Sequence, residues 1–304
     1  MKNSEEKVSY IFSKNELKKS SNKVIYYSFY ILLFIGAAIS LFPFIWMIIS
    51  SFKMPQEVFK FPPTLIPEHF NLDSYKKIFM ALPFLRWFFN SIFVSSSIVF
   101  LQIFILSLAA YSISKLNLPY KRGILLLFLS SMMIPFQIKV IPLYLIMRYF
   151  PAKSLFGINL PTINLLDTYW ALILPSIVDA FNLFLLKGFF DGIPDSIMES
   201  ARIDGASEWQ IFQKIVLPLS KSVFAVVGIF AFIGAWDAFL WPLIVLSKPK
   251  MYTLMLGVQK YASGFPEWNT IMALSTVTVL PIIILFIFLQ KYILKGISLT
   301  GLKE

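Results

Sequence analysis

The sequence predicts an all-α polytopic membrane protein with six transmembrane helices and both termini in the cytoplasm. Three observations carry this. Of 304 residues, 58% are hydrophobic and only 14% charged, with a mean hydropathy of +0.74; a soluble domain of this size shows far more charge. The apolar residues fall into six runs, each near the roughly 20 residues that cross a hydrocarbon core as helix. The basic residues between the runs are shared unequally between the two sides.

The runs are Val24–Ser51, Trp87–Ser114, Gly123–Met147, Thr168–Leu186, Leu219–Leu246 and Asn269–Gln290. They are continuous rather than alternating, which argues against a β-barrel. The first is too long for a signal-peptide core and reads as an uncleaved span. Residues 1–23, with six lysines among Ser, Asn and Glu, read as a disordered cytoplasmic tail. Residues 24–294 form the membrane domain and 295–304 a cytoplasmic C-terminal tail. With the N-terminus inside, the inner segments hold 16 Lys and Arg against 10 outside, the inside-positive bias. Tyr26, Tyr27 and Tyr30 fall at the inner end of the first span, and Trp46, Trp87, Trp170, Trp241 and Trp268 at outer ends. In the outer segment 54–86, Pro62-Pro63 predicts extended chain and Asp73 the cap of a short surface helix.

The net charge of +11 fits lysines facing an anionic leaflet rather than nucleic acid. Cysteine is absent, which excludes disulfides and thiol chemistry. A lone histidine, His69, cannot build a metal site. No G-x-x-x-x-G-K-[ST] loop exists, so the chain cannot itself cradle ATP.

One stretch breaks the apolar pattern: ESARIDGASEWQIFQKIVLPLSK, residues 199–221, on the inner side. Pro194 ends the preceding turn, and Ser196 to Glu199 fits a capping box. A helix then runs to about Asp204 and stops at Gly205, a left-handed terminator. Ser207 to Gln210 is a second capping box. Its helix carries Trp209, Phe212 and Val216 at spacings of three and four, one apolar stripe, and Pro218 closes it. Such a stripe either docks on a partner or packs on the chain's own membrane helices.

Glu199-Ser200-Ala201, then Gly205, then Ile215, Leu217 and Pro218, resembles the EAA loop of ABC importer permeases, with Ser200 in place of the first alanine. PFLRWFFNS, MMIPFQIKVIPLYLIM, DTYWALILPSI, WDAFLWPLIVL, MYTLMLGVQKY and GISLTGLKE follow the order of MetI/MalG-like carbohydrate permeases. The resemblance covers nearly the whole chain from about residue 24. It implies that the charged unit couples to a cytoplasmic ATPase through Glu199, Ser200, Ala201, Arg202, Asp204, Gly205, Trp209, Phe212, Ile215, Leu217 and Pro218. Glu199 is open to capping its helix, to pairing with a basic group of that ATPase, or to both. Implied partners are two ATPase subunits holding ATP and Mg, a second MalF-like permease, an extracytoplasmic sugar-binding protein and membrane lipid. This chain would bind no cofactor and no metal, and would be a non-enzymatic subunit in a prokaryotic plasma or inner membrane. The tail is implied to reach toward the ATPase dimer.

An ionisable group at mid-bilayer costs roughly 2.5–3.5 kcal/mol, so Lys139, Asp179 and Asp237 need a reason. At about 1.5 Å per residue, Lys139 and Asp237 lie roughly 24 and 27 Å above the inner ends of their spans, and Asp179 only ~10 Å. Lys139 thus matches Asp237 in depth and not Asp179. A sugar presents hydroxyls and apolar ring faces, so Lys139, Trp236, Asp237 and Trp241 are candidate pathway residues. Lys139 otherwise snorkels to water, and the tryptophans otherwise pack. The competing reading is a stand-alone secondary transporter or channel for a polar solute. It would want a coupling-ion site in repeat-related broken helices, and it leaves the charged unit unexplained.

Overall fold

The computed structural model describes residues 20–151, 161–264 and 267–300. The N-terminal tail up to residue 19 and residues 301–304 lie outside the described residues. In chain order the first helices are α1 (Ser20–Ser51), α2 (Pro55–Val58), α3 (Asp73–Ala81), α4 (Phe84–Lys115), α5 (Lys121–Ser131), α6 (Phe136–Arg148), α7 (Trp170–Ser176) and α8 (Ala180–Asp191). Then come α9 (Asp195–Ile203), α10 (Glu208–Ile211), a π turn at Phe212–Val216, α11 (Leu217–Leu219), α12 (Lys221–Trp236), α13 (Leu240–Val245), α14 (Leu254–Ala262) and α15 (Trp268–Thr300). Among the described residues the sole β feature is one bridge between Phe150 and Ile163.

Lys23–Ser51, Phe84–Lys115 and Trp268–Lys291 are each long and apolar enough to cross a bilayer unaided. The other runs are broken. The α5–α6 pair bends by 101° and the α7–α8 pair by 44°. The segment Glu208–Leu219 meets α12 at 77°. Up to six spans result if each bent pair counts as one.

The sequence places Leu219–Leu246 in one span, and this needs correction. The α12 helix ends at Trp236 with Asp237 as its C-cap, and α13 starts afresh at Leu240. Pro242 sits in the first turn of α13, where a missing N–H costs nothing. Likewise Pro135 is the N-cap of α6; a proline there bars continuation from α5. At the other end, α15 runs unbroken through residue 295 to Thr300.

The α4 helix is the centre of the bundle, packed on α8, α12 and α14, while α15 packs on α12 and α1. Its first turns fasten the 247–254 connection. Arg86 Nε donates to Lys250 O at 2.9 Å, and Asn90 Nδ2 to Lys250 O at 3.0 Å and Tyr252 O at 2.8 Å. Ser91 Oγ accepts from the Leu254 amide at 2.7 Å. PFLRWFFNS and MYTLMLGVQKY are therefore two halves of one joint. Trp87 and Trp241, expected as interfacial anchors, are instead buried, with their indole N–H groups bonded to Pro249 O and Ala171 O. A buried indole must find an acceptor, and these two find it inside the fold.

In the 54–86 segment a surface helix forms, but Asp73 is its first residue rather than its cap; the Asn71 side chain accepts the Asp73 amide at 2.6 Å. Lys53 is buried there with its ammonium 4.4 Å from the Trp46 ring centre and donating to Thr64 O. Glu57, also buried, accepts from Thr64 Oγ1 at 2.8 Å and the Glu68 amide at 2.9 Å. No pattern in the sequence discloses this knot.

Candidate functional site

Two places combine polar chemistry with exposure: the helix–turn–helix unit of α9 to α11, and a cavity among the broken helices.

The unit begins at Asp195, not Ser196. Pro194 is the N-cap of α9, and Ser196 lies inside the helix, its carbonyl accepting from Ser200 Oγ at 2.9 Å. The expected Ser196–Glu199 capping box is therefore absent. Glu199 is exposed and makes no hydrogen bond or ion pair, so the capping reading of it falls. The helix ends in a Schellman turn: the Ala206 amide donates to Ala201 O at 2.9 Å and the Gly205 amide to Arg202 O at 3.0 Å. Gly205 has φ +83°, the left-handed region where a β-carbon clashes with its own backbone. The Ser207–Gln210 capping box forms, with both reciprocal bonds present.

Pro218 does not close the unit. The helix widens to a π turn just upstream, passes through Pro218 to Leu219, and breaks at Ser220. The apolar stripe is divided. Ile211, Phe212 and Val216 are buried with Met198 against Leu106, Tyr111, Leu186 and Phe190. Trp209 remains half exposed, its ring tilted against that of Phe212 at a centroid distance of 5.7 Å. Ala201, Ile215 and Leu217 pack partly on the same core. Ile203, which sequence reasoning passed over, is 87% exposed. Ser200, Asp204 and Pro218 are also exposed.

Polar struts hold the unit to the bundle. Arg202 is engaged rather than solvated: its Nε donates to Glu208 Oε1 at 2.7 Å, while Tyr111 Oη donates to Glu208 Oε2 at 2.6 Å. The Arg202 guanidinium and the Tyr111 hydroxyl hold the Glu208 carboxyl below its ordinary range, against a smaller opposing effect of burial. Lys115 donates to Asp195 at 2.7 Å and to Ile193 O at 2.6 Å.

The cavity, of about 600 Å³, lies where α4, α6, the α7–α8 break and the α12–α13 break converge. Irregular backbone within a membrane is tolerated where it lines such a space. Lys139 and Trp241 line it, and so does Asp179. The depth arithmetic pairing Lys139 with Asp237 is overturned, because a 101° bend precedes α6 and straight-helix rise does not apply. Asp179 caps α8, accepting the Asn182 amide at 2.7 Å. Asp237 is exposed and outside the lining. Trp236 is only 1% exposed, stacked on Phe232 and donating to Thr278 O at 3.2 Å; it is core, not pathway.

Broken apolar helices around a largely apolar cavity with a few polar side chains in its wall, and an amphipathic unit at one end of the bundle, are the architecture of a membrane transport protein. Residues 102–299 match the family described as binding-protein-dependent transport system inner membrane component, and the chain belongs to that family. It is similar to the arabinooligosaccharides transport system permease protein AraQ of Halalkalibacterium halodurans, 34% identical over 88% of this chain and 92% of that protein. It is also similar to the polygalacturonan/rhamnogalacturonan transport system permease protein YtcP of Bacillus subtilis, 34% identical over 88% and 94%. The fold is shared with a chain in the crystal structure of a bacterial ABC transporter involved in the import of alginate. That match has a TM-score of 0.76, 23% identity, and coverage of 90% of this chain and 98% of the other.

Proposed function

We propose that the chain is one permease subunit of an ATP-driven saccharide importer, and that α9 to α11 seat in a cytoplasmic ATPase. The observation that carries this is the surface of that unit. Ile203 and Trp209 expose apolar area beside the free carboxylates of Glu199 and Asp204, on a frame locked by Gly205, the Ser207 cap and Glu208. Such a patch suits a partner cleft with an apolar floor and a basic rim. The assembly would hold two ATPase copies carrying ATP and Mg, a second MalF-like permease and an extracytoplasmic binding protein, with both termini of this chain in the cytoplasm. The names of AraQ and YtcP support a saccharide as cargo.

The test is reconstitution. The four-component assembly in liposomes should take up labelled oligosaccharide only with internal ATP and external binding protein, and this chain alone should release no phosphate from ATP. Hydrolysis by the isolated chain, or uptake without ATP, would defeat the reading.

A further inference from the structure

We propose that the connection between α1 and α3, residues 52–72, is a lipid-surface anchor, its apolar rim seated among the headgroups and first acyl carbons of the leaflet where α1 ends. Membrane residence alone is required for this, whatever the cargo. The loop turns large apolar side chains outward: Phe61 is 92% exposed and Ile66 79%, with Phe59, Leu65 and Phe70 each more than half exposed. Apolar side chains gathered in this way mark a contact with protein or with membrane. The charges of the loop favour membrane. Residues 53–68 carry four, Lys53, Glu57, Lys60 and Glu68, and none faces outward alone. Lys53 and Glu57 are buried and meet at Thr64, whose carbonyl accepts from Lys53 Nζ and whose hydroxyl donates to Glu57 Oε1 at 2.8 Å. Lys60 pairs with Glu68 across the base of the tip. A protein-docking patch keeps a polar rim. A segment that enters lipid must instead leave no charge unpaired, and here two positive and two negative groups cancel within the loop.

Position agrees. The first span, Lys23–Ser51, has 29 residues, about 43 Å of helix at 1.5 Å per residue, which matches the roughly 40–45 Å of hydrocarbon core plus headgroups. The loop thus leaves α1 at headgroup level, and it is fastened there. The Asn71 amide donates to Phe52 O at 2.9 Å and closes its two ends. Asn269 Nδ2, in the first turn of α15, donates to Lys53 O at 3.1 Å. Phe70 stacks on Phe52 at 4.6 Å, and Phe59 stands edge-on to Trp268 at 6.3 Å. Trp268 opens α15, which packs on α1, and is itself half exposed. Phe59 and Trp268 so form one aromatic edge beside two spans, the placing of an interfacial belt. The apolar face of α1 continues into it through Ile45 and Ile48, both exposed. With its charges cancelled, the loop is held by apolar burial and not by attraction to anionic headgroups.

The chain has no cysteine, so a single introduced cysteine takes a nitroxide label at one place. Phe61→Cys and Ile66→Cys, both at exposed positions, are labelled in the full-length chain, assembled with cysteine-free partner subunits in liposomes. Collision with dissolved oxygen is compared with collision with a water-soluble nickel chelate, free nitroxide in buffer setting the aqueous reference. At both sites the ratio of oxygen to chelate collisions should exceed the reference by roughly threefold or more, as for a side chain among acyl carbons. Phosphatidylcholine liposomes with and without phosphatidylglycerol should give the same ratio, and saturating extracytoplasmic binding protein should leave it unchanged. Chelate access equal to the aqueous reference at either site overturns the proposal. So does protection that appears only when binding protein is added, which would make the loop a protein-docking surface. Exclusion of both reagents would place another subunit over it, and a preference confined to phosphatidylglycerol would make the contact one of charge; either result overturns it as well.

Discussion

Tyr111 donates its phenolic hydrogen to Glu208 across 2.6 Å, and this bond ties the central membrane helix α4 to the second helix of the exposed unit. Tyr111→Phe removes it while keeping the ring on Phe212. A hydrogen bond to a charged group contributes about 1.5–3 kcal/mol, and partial exposure of Glu208 puts this one at the lower end. We expect a small fall in melting temperature and a larger rise in ATP hydrolysed per sugar imported, because the unit would no longer move with α4. An unchanged ratio would show that the strut carries no coupling.

The same carboxylate sets a pH dependence. Glu208 is held below its ordinary value of 4.5 by Arg202 and Tyr111. A depressed folded-state pKa means the contribution is complete above about pH 4.5 and is lost as pH falls through the lower folded value. The Arg202–Glu208 pair is partly exposed, so the effect is under about 1 kcal/mol. Melting temperature followed from about pH 6 to about pH 3 should fall less steeply in Glu208→Gln than in the unaltered chain. Parallel curves would remove Glu208 from the account.

Ile203 offers a cleaner probe of docking, since its side chain touches almost nothing. Ile203→Ser should leave stability within about 0.5 kcal/mol. If the side chain is buried in a complex, ATPase affinity should drop by at least an order of magnitude, following the roughly 1.5–3 kcal/mol of burying an isoleucine. Surface plasmon resonance against immobilised ATPase reads it directly; equal affinity would place the contact elsewhere.

What the sequence disclosed of this unit is what local chemistry determines. Gly205 and the Ser207–Gln210 cap are each specified within four residues. The start of α9 was not legible, because the Asp195 side chain answers to Lys115 on a helix eighty residues away. Trp209, Phe212 and Val216 look alike in spacing, yet only tertiary packing decides that two face the bundle and one does not. Prolines 135 and 242 announce local breaks, but their meeting around one cavity belongs to the fold. Lys139 and Asp179 differ in depth on straight helices, yet both line one cavity because a 101° bend precedes α6.

Gly257 tests the joint between the start of α4 and α14. A β-carbon there would lie 2.3 Å from the Trp87 ring, far inside contact distance. Gly257→Ala must displace a buried indole, and overpacking of this kind costs typically about 1–3 kcal/mol. A lowered melting temperature, recovered in Gly257→Ala with Trp87→Leu, is the expected pattern; a neutral single variant would mean the 247–254 connection is loosely held.

The central claim, that α9 to α11 are a rigid joint to an ATPase, is tested most directly at Gly205. Beyond the two chain neighbours, nothing in the chain lies within 4 Å of a β-carbon built there, so within this chain substitution acts through backbone conformation. At φ +83° a β-carbon costs on the order of 1–2 kcal/mol, and valine, branched at Cβ, costs more than alanine. The membrane helices lie outside the turn. The measurement is co-purification of ATPase with the permease, alongside surface labelling of its topology. Gly205→Val should insert normally yet retain less than a tenth of the bound ATPase, with Gly205→Ala intermediate. Full retention of ATPase and of transport by Gly205→Val would contradict the account.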